Sequence, residues 1–326
     1  MRRLLIAVSF LITGAIVGGA TLAVWAKARF EAPGPSDQRV TVAVPPGASL
    51  ERVAHKLARK KVIRSPWLFR AGAYVTGTAG ELKAGEFAFP PGVSARKALA
   101  VIVGGETVTY SITVPEGETS AEVVARLRGH EALAGTISPV PREGSLLPDT
   151  YRFERGHTRT RLINRMQQAA EDFLDKVWPK RAGDLPYDTR REAITLASIV
   201  EKETAVADER AVIAGVFVNR LREGMRLQSD PTVRYAVTDG ERVLDRPLRE
   251  SDLARDDPYN TYTNAGLPPG PIANPSRAAI RAALNPADTP YRYFVADPDG
   301  EGHAFARTLE EHNANVAAWR ERDQAD

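Results

Sequence analysis

The hydrophobic and polar positions of this chain predict one long apolar helix followed by a series of short amphipathic elements. Residues 4–26 contain no charged side chain over 23 positions, and a helix of that length matches the roughly 30 Å hydrocarbon core of a bilayer. Arg2 and Arg3 come before this run and favour a cytoplasmic N-terminus. We therefore expect a single-pass anchor, Leu4–Ala26, in the inner (plasma) membrane, with the rest of the chain exported.

A cleaved signal peptide is the alternative for the same run, because Ala26-Lys27-Ala28 resembles a small-residue cleavage site. The apolar run is long for a signal peptide, so the uncleaved anchor is favoured. Residues 27–39 follow and are rich in Pro, Gly and charge. This composition predicts a linker between the anchor and the folded part of the chain.

From Val40 onward the pattern changes to short strands and helices. One motif recurs three times: the end of a strand, a Pro/Gly turn, a Ser or Thr cap and an amphipathic helix. Its copies cover residues 44–57, 89–99 and 114–127. A further helix is predicted over residues 65–74. We expect these elements to form small α/β units.

The second half of the chain predicts longer helices. Apolar residues at helical spacing define them over residues 162–177, 193–204, 208–222 and 274–284. Residues 228–274 are dense in Asn, Thr, Tyr, Gly and Pro and predict a long loop. A hairpin over residues 291–306, with DPDGEG as its turn, and a last helix after Thr308 close the chain.

The predicted fold class is therefore α+β. Its divisions are an N-terminal transmembrane helix, a linker, a small α/β module and a larger α+β domain. In residue numbers they cover 1–26, 27–39, 40–108 and 109–326.

Composition limits the possible chemistry. The chain has 326 residues, no cysteine and a net charge of +3. The lack of cysteine excludes disulfides, thiol nucleophiles and Cys-ligated zinc, and the small charge gives no argument for nucleic acid. Five arginines between residues 152 and 165 form a basic cluster. Such a cluster is either a solvated helix face or a surface for an anionic polymer or phospholipid headgroups.

The most informative chemical pattern is LASIVEKET, residues 196–204. Glu201 and Glu203 fall on opposite flanks of an apolar helical stripe, and Lys202 points to solvent. A carboxyl group sheltered by apolar residues loses water, which raises its pKa and allows it to act as a general acid. Helical geometry does not choose between the two acids, and a solvated salt bridge at the helix end is the alternative.

Other chemistries have little support. The five histidines lack a ligand spacing such as HExxH, and neither GxSxG nor a phosphate loop is present. Asp149, Asp230 and Asp252 are candidates to partner Glu201 in a two-carboxylate site. The Tyr-, Asn- and Thr-rich segment 228–274 offers the flat rings and paired donors and acceptors that bind sugars. A rigid structural loop is its alternative interpretation.

Several segments, in order, resemble the endolytic murein transglycosylase (YceG-like) family. They are GSLLPDTYRF after Glu143, LASIVEKET, VNRLREGMRLQSDPTVRYA, YNTYTNAGLPPGPIANP, and GHAF followed by EHN. The resemblance runs from about residue 40 to residue 315 and is most specific from Leu196 onward. The stretch Ser145–Leu147 replaces a more aromatic one, which affects local packing rather than the acid.

This resemblance implies cleavage of the MurNAc–GlcNAc β-1,4 bond within nascent glycan strands, with formation of 1,6-anhydro-MurNAc ends. It implies that the first Glu of EKE, Glu201, is the catalytic acid and base, and that a LysM-like module follows the anchor. One carboxyl can suffice, because the muramyl C6 hydroxyl supplies the nucleophile and no second acid must position water.

The candidates for holding the sugars are polar and aromatic residues of the 228–262 region: Gln228, Asp230, Tyr259, Asn260, Thr261 and Tyr262. His303 either orients a group in the site or is structural. No metal or cofactor is expected. The expected partners are peptidoglycan glycan strands and the synthases that make them, with no nucleic acid. A non-catalytic peptidoglycan-binding protein that recruits synthases, and a water-using muramidase, remain alternatives.

Overall fold

The chain folds into two compact units. This computed structural model describes residues 2–297, 300 and 302–323. The first unit comprises Met1–Tyr110 with Phe153–Arg155, and the second comprises Ser111–Arg152 with Gly156–Asp326. The first unit thus ends two residues after the predicted boundary at residue 108 and gains a short segment from later in the chain.

That short segment belongs to the first unit because of Arg155. Its guanidinium donates to the Glu86 carboxylate at 2.8 Å and to the Tyr110 hydroxyl at 2.9 Å. Phe153 also stacks on Tyr110, with ring centroids 6.0 Å apart. A boundary drawn along the sequence does not show such a contact between distant residues.

The N-terminal helix is longer than the sequence predicts. Helix α1 covers Arg2–Glu31, and its part Val8–Glu31 is long and apolar enough to cross a membrane and is not buried within the protein. The predicted linker over 27–39 is therefore wrong for its first five residues, which continue the helix. The reason is packing: Phe30 lies against the hydrophobic core of the first unit.

The first unit has the order strand, helix, helix, strand, helix after α1. These elements are β1 (Val40–Val44), α2 (Leu50–Arg59), α3 (Pro66–Val75), β2 (Gly85–Phe89) and α4 (Ala95–Gly104). β1 and β2 are antiparallel, with Val40 opposite Phe89. Their inward side chains and the apolar faces of the three helices form one core.

The three predicted repeats share one local structure. In each, a turn glycine with positive φ precedes the N-cap by two residues: Gly47 before Ser49, Gly92 before Ser94, and Gly117 before Thr119. Each cap hydroxyl accepts a backbone N–H of the following helix, which satisfies a donor that the first turn leaves free. The Pro/Gly-turn motif is therefore confirmed as a helix start.

Strand β3 (Thr109–Thr113) pairs with β4 (Thr150–Glu154). The remaining elements are α5 (Ser120–Arg128), α6 (Arg159–Val177), α7 (Arg190–Glu203), α8 (Arg210–Arg222), α9 (Asp230–Thr238), α10 (Glu250–Leu253), α11 (Arg277–Leu284), β5 (Tyr293–Ala296), β6 (His303–Ala306) and α12 (Leu309–Asp323). β5 and β6 form the predicted antiparallel hairpin. Part of its DPDGEG turn, residues 298, 299 and 301, lies outside the described residues.

The core of the second unit is built around α7, α8 and α11. Every residue of α7 from Ala193 to Val200 is buried. Side chains of α8 and α11 pack against these residues. Because α7 runs through the centre of the unit, its C-terminal acids are held on a rigid element.

The predicted loop over 228–274 contains two helices, α9 and α10, which the composition concealed. α9 begins after Ser229 with a proline in its first turn, a position where proline is favoured. Its buried face carries Thr232, Val233 and Ala236. The high content of Asn, Thr and Pro suggested a loop, but the tertiary contacts of these three residues stabilise a helix.

The basic cluster is partly structural. Arg159 donates to four main-chain carbonyls, those of Leu127, Arg128, His130 and Gly135. Arg165 donates to the carbonyl of Arg152 at 2.8 Å. These guanidinium groups therefore close the turns around α5 and β4 instead of forming only a solvated face.

Candidate functional site

The two acids of the EKE triplet end helix α7. The helix begins at a capping box, in which the Thr189 hydroxyl and the Glu192 carboxylate satisfy each other's backbone N–H groups. It ends at Thr204, whose extended backbone stops the helical pattern. Glu201 and Glu203 therefore lie in the last turn, one on each flank as predicted, and they meet different neighbours.

Glu201 is enclosed and held by fixed donors. Its side chain is only 6% exposed, and its Oε1 lies 4.0 Å from a guanidinium nitrogen of Arg210. Its Oε2 accepts the backbone N–H of Ser276 at 2.9 Å. Ser276 is the N-cap of α11, so the carboxyl also lies at the positive end of a helix dipole. These contacts fix the position of the carboxyl, with Oε2 bound to the Ser276 N–H and Oε1 facing the Arg210 guanidinium.

A turn before α5 covers the other side of Glu201. Gly117 has φ +75°, and a Cβ at this position would lie 3.5 Å from the Glu201 Cγ. The Lys202 ammonium donates to the Gly117 carbonyl at 3.2 Å. Lys202 is thus exposed as predicted but not free, and its bond joins the end of α7 to this turn.

Asn274 ties the two loops around Glu201 together. It is completely buried. Its main chain exchanges hydrogen bonds with Gly117 and Glu118, and its side-chain oxygen accepts the Leu146 N–H at 2.9 Å. The turn that covers Glu201 and the segment that donates to it are therefore one connected structure.

Burial alters the protonation of Glu203. Burial raises its pKa from 4.5 to about 7, and the nearby Asp230 charge acts in the same direction. The Ser229 hydroxyl donates to Glu203 Oε1 and, with the Arg220 charge, partly opposes this rise. The raised pKa that the sequence suggested for a half-sheltered acid is thus found at Glu203.

A third acid, Glu143, is half-buried and directly precedes the segment GSLLPDTYRF. Its Oε1 accepts the Ser120 N–H at 2.8 Å, the Ser120 hydroxyl at 3.1 Å and the Asn274 amide at 3.3 Å. Burial raises its pKa to about 7. Its bond to the Asn274 amide helps to hold the two loops that Asn274 connects. No periodicity of apolar residues surrounds it, so the sequence offered only the Glu-Gly pair as a signal.

Gly144, directly after Glu143, gives a test of this packing. An added Cβ would lie 2.6 Å from Pro271 Cγ and 2.8 Å from Ile194 Cγ2, at φ +74°. We expect Gly144→Ala to lower the free energy of unfolding by about 1–3 kcal/mol more than a Gly→Ala change that has a similar positive φ but no steric clash. The extra loss arises because the surrounding core must move to make room for the methyl group. Denaturant unfolding measures the difference.

Gly156→Ala is the matched control for this prediction. Gly156 has φ +85°, and nothing lies within 4 Å of an added Cβ. Both variants therefore carry the left-handed backbone strain of about 1–2 kcal/mol, and only Gly144→Ala adds a steric clash. Equal destabilisation by the two changes would contradict the packing argument.

The predicted sugar contacts divide into two groups. Gln228 is exposed, has φ +50° and is joined to Thr261 through its backbone N–H. Asp230 accepts the Tyr262 hydroxyl at 2.7 Å. Asp230 and Tyr262 therefore contact each other, and Gln228 and Asp230 flank Ser229, whose hydroxyl donates to Glu203. Tyr259 lies apart, against Tyr235 with centroids 4.7 Å apart.

Asn260 and Thr261 are directed into the protein. Both are essentially unexposed. The Asn260 amide donates to the carbonyls of Leu253 and Arg255, and the Thr261 hydroxyl accepts the Ser229 N–H at 3.0 Å. Their polar atoms are engaged in holding the loop, so these two side chains position their neighbours instead of presenting hydrogen-bonding groups at the surface.

Two of the aspartates proposed as partners of Glu201 are paired elsewhere. Asp149 receives a hydrogen bond of 2.8 Å from Arg277, which lowers its pKa. Asp252 is bound by the Arg246 guanidinium, which holds its pKa far below the usual range. Only Asp230 lies beside the residues around the end of α7.

His303 is held by the carboxylate of Glu209, which no sequence motif indicates. Glu209 accepts the His303 backbone N–H at 2.8 Å and contacts its Nδ1 at 2.7 Å. The Thr204 hydroxyl donates to the same carboxylate at 3.2 Å. Glu209 ends the short turn between α7 and α8, and Arg210 begins α8, so the hairpin is fastened directly beside the residue that faces Glu201.

Comparisons with known proteins bear on the whole chain. The model of the YceG-like family matches residues 42–318. A curated protein of Bacillus subtilis (strain 168), named endolytic murein transglycosylase, is 32% identical, and the similarity covers 91% of this chain and 89% of the relative. A protein of the same name from Streptococcus pneumoniae (strain D39) is 30% identical over 86% of this chain, which spans 58% of that longer relative.

A solved structure is also similar. It is the crystal structure of a yceG-like protein from Listeria monocytogenes, with 30% sequence identity and a TM-score of 0.52. The similarity covers 86% of this chain and 99% of the solved chain. The resemblance therefore extends through both units and through the site described above.

Proposed function

The chain belongs to the YceG-like family, and from that premise we infer that it is an endolytic murein transglycosylase, the activity for which its curated relatives are named. Its substrate is then the glycan of peptidoglycan. We propose that it cleaves the MurNAc–GlcNAc β-1,4 bond within nascent strands. We also propose that the cleaved strand ends in 1,6-anhydro-MurNAc.

The proton transfers are assigned to Glu201. The observation that supports this choice is its geometry: the carboxyl is almost enclosed, and a backbone N–H and a guanidinium hold it from two sides. Oε2 is occupied by Ser276, so Oε1 is the oxygen available to a substrate. A fixed acid of this kind meets the geometric requirement for general acid catalysis.

This single carboxyl can carry out both proton transfers of the reaction. Glu201 donates its proton to the glycosidic O4, and the bond between muramyl C1 and O4 breaks. The muramyl O6 then bonds to C1 as its hydroxyl proton passes to the Glu201 carboxylate, which restores the acid. Between the two transfers the carboxylate charge faces Arg210 and the Ser276 N–H, and these preorganised donors stabilise that stage.

The sugar contacts are assigned to the members of the predicted set that are exposed or half-buried. Asp230 and Tyr262 are hydrogen-bonded to each other, Gln228 directly precedes the Ser229 that contacts Glu203, and Tyr259 offers a ring at a second place. Tyrosine rings pack on the apolar faces of sugars, and carboxylate and amide groups pair with hydroxyls. Asn260 and Thr261 act by holding this loop in shape.

The location proposed for the enzyme follows from α1. A single helix long and apolar enough to span a bilayer lies at the N-terminus of the described chain. With Arg2 and Arg3 on the cytoplasmic side, the folded chain after α1 lies outside the inner membrane, where nascent glycan and its synthases are found. The β1-α2-α3-β2 order supports a LysM-like module as the first folded segment.

Digestion of purified sacculi tests the proposed activity. Incubation with the full-length protein in detergent is expected to release glycan fragments of many lengths, since an endolytic enzyme cuts inside strands. Separation of the soluble fragments by size measures this. Sacculi that bind the protein but keep their glycan length would contradict the enzymatic function and favour a binding protein that recruits synthases.

A further inference from the structure

The first unit carries an apolar surface that the enzymatic function does not explain. On helix α3, Trp67 is 59% exposed, Tyr74 68% and Val75 88%. They lie on the side of the helix away from Phe69 and Ala73, which are completely buried in the core. Large apolar side chains exposed together on one face indicate a contact surface.

The end of α1 is fastened directly to this part of the unit. The Phe30 ring packs so closely on Gly72 of α3 that a Cβ there would clash with it. The Glu31 carboxylate receives a hydrogen bond of 2.7 Å from Arg96. The chain thus passes from α1 into the folded unit without a flexible linker, and the direction of α1 fixes the orientation of α3.

The contacts between α1 and α3 also fix the depth of α3. A groove of about 460 Å³ lies between them, and Ala23, Ala26, Lys27, Phe30 and Glu31 of α1 form one wall. The other wall includes Ala71 and Val75 of α3. Ala23 and Ala26 belong to the last turn of the uncharged run, which at about 1.5 Å per residue spans the hydrocarbon core. The groove therefore begins at the edge of that core and continues for more than a helical turn beyond it, where Phe30 packs on Gly72 of α3.

The residue types on this surface match that depth. Tryptophan and tyrosine are enriched where the hydrocarbon meets the headgroups. Trp25 on α1 is 49% exposed, with the Arg29 guanidinium 5.9 Å from its ring. The turn that leads into α3 adds three exposed cations, Lys60, Lys61 and Arg64, and cations are attracted to anionic lipid headgroups.

We propose that the α3 surface formed by Trp67, Tyr74 and Val75 is inserted in the headgroup region of the bilayer that α1 crosses. The lipid bilayer is its partner. The first unit then rests on the membrane at a fixed tilt instead of swinging on a tether. This proposal rests on membrane insertion of α1 and is independent of the reaction at Glu201.

A single introduced thiol tests the proposal, because the chain has no cysteine. Full-length Tyr74→Cys is labelled with the environment-sensitive fluorophore NBD and reconstituted in vesicles containing phosphatidylglycerol. We expect strong quenching by lipids that carry a nitroxide near the headgroup and weak quenching by iodide in the water. The second measurement needs no label: brominated lipid should quench the tryptophan fluorescence of Trp67→Phe less than that of the parent, with the remaining quenching due to Trp25.

Glu106→Cys is the matched control. Glu106 is exposed and precedes Thr107, whose side chain contacts Gly85 at the far end of the β1–β2 pair. A five-residue strand separates this end by about 17 Å from the end beside which the chain leaves α1. Its label is expected to be open to iodide and insensitive to lipid quenchers. Equal iodide quenching at the two positions would overturn the proposal, and so would a Tyr74→Cys label shielded from both quenchers, since a protein surface would then cover it.

Discussion

Glu201→Gln is expected to lose nearly all glycan cleavage while it folds and binds the substrate normally. The amide keeps the shape of the side chain and an oxygen that can accept the Ser276 N–H, but it has no proton to give to the glycosidic oxygen. General acid catalysis contributes about 10²- to 10⁴-fold, and we expect a loss in this range. The initial rate of fragment release from sacculi measures it, with a pull-down on sacculi as the measure of binding.

Glu203→Gln is the discriminating control because it changes the other acid of the same helix turn. Glutamine can still accept the Ser229 hydroxyl at this position, so the loop that carries Gln228 and Asp230 should stay in place. We expect most of the turnover to remain. If Glu203→Gln is the inactive variant and Glu201→Gln is active, the assignment of the acid is wrong.

The free energy of unfolding is expected to fall as the pH rises from about 5 to 8. Burial raises the pKa of Glu143 and Glu203 from 4.5 to about 7 in the folded chain. Between pH 4.5 and about pH 7 the two carboxyl groups have lost their protons in the unfolded chain but keep them in the folded chain. Rising pH therefore favours unfolding. At 1.36 kcal/mol per pKa unit, each group lowers stability by about 3 kcal/mol once the pH is above 7.

Two variants at one contact test this pH dependence in opposite directions. Glu203→Gln cannot ionise, so its stability should exceed that of the parent at pH 8 by up to about 3 kcal/mol. Ser229→Ala removes a donor that favours the ionised Glu203, so the loss of stability should continue to higher pH. Denaturant titrations at a series of pH values measure both. Parallel curves for the parent and Glu203→Gln would show that this carboxyl ionises freely in the folded protein.

The sequence was sufficient for features that depend on neighbours along the chain. The caps at Ser49, Ser94 and Thr119 and the positions of Glu201 and Glu203 on opposite flanks of α7 follow from spacing of a few residues. Local preferences determine such features before any tertiary contact forms. The family resemblance added the choice of Glu201, which spacing alone left open.

The environment of each acid could not be predicted in this way. Glu201 meets the backbone of Ser276, 75 positions away, and Glu203 meets the Ser229 hydroxyl, 26 positions away. A backbone N–H that points at a carboxyl has no signature in the side-chain sequence. The segment 228–274 was expected to be a loop but contains helix α9, again because of contacts between distant residues. This helix depends on the burial of the face that carries Thr232 and Val233.

The predicted linker over residues 27–39 differs from the structure because its residues pack against the first unit. Composition does not reveal such packing. Proline and glycine usually indicate a flexible connection. Here the Gly34 N–H bonds the Val93 carbonyl at 3.1 Å, and the Pro33 carbonyl accepts from Arg64 at 3.2 Å. The lack of a side chain at Gly34 allows close approach to the Val62 carbonyl, where a Cβ would clash. Proline and glycine are therefore used here to pack the chain closely against the folded unit, and not to make it flexible.

The most direct test of the reaction at Glu201 is digestion of glycan strands in water enriched in the heavy oxygen isotope, followed by mass spectrometry of the new ends. If the muramyl C6 hydroxyl is the nucleophile, the new ends are 1,6-anhydro-MurNAc without heavy oxygen, and Glu201→Gln produces almost none of them. Reducing MurNAc ends that carry heavy oxygen at C1 would show attack by water and contradict the account.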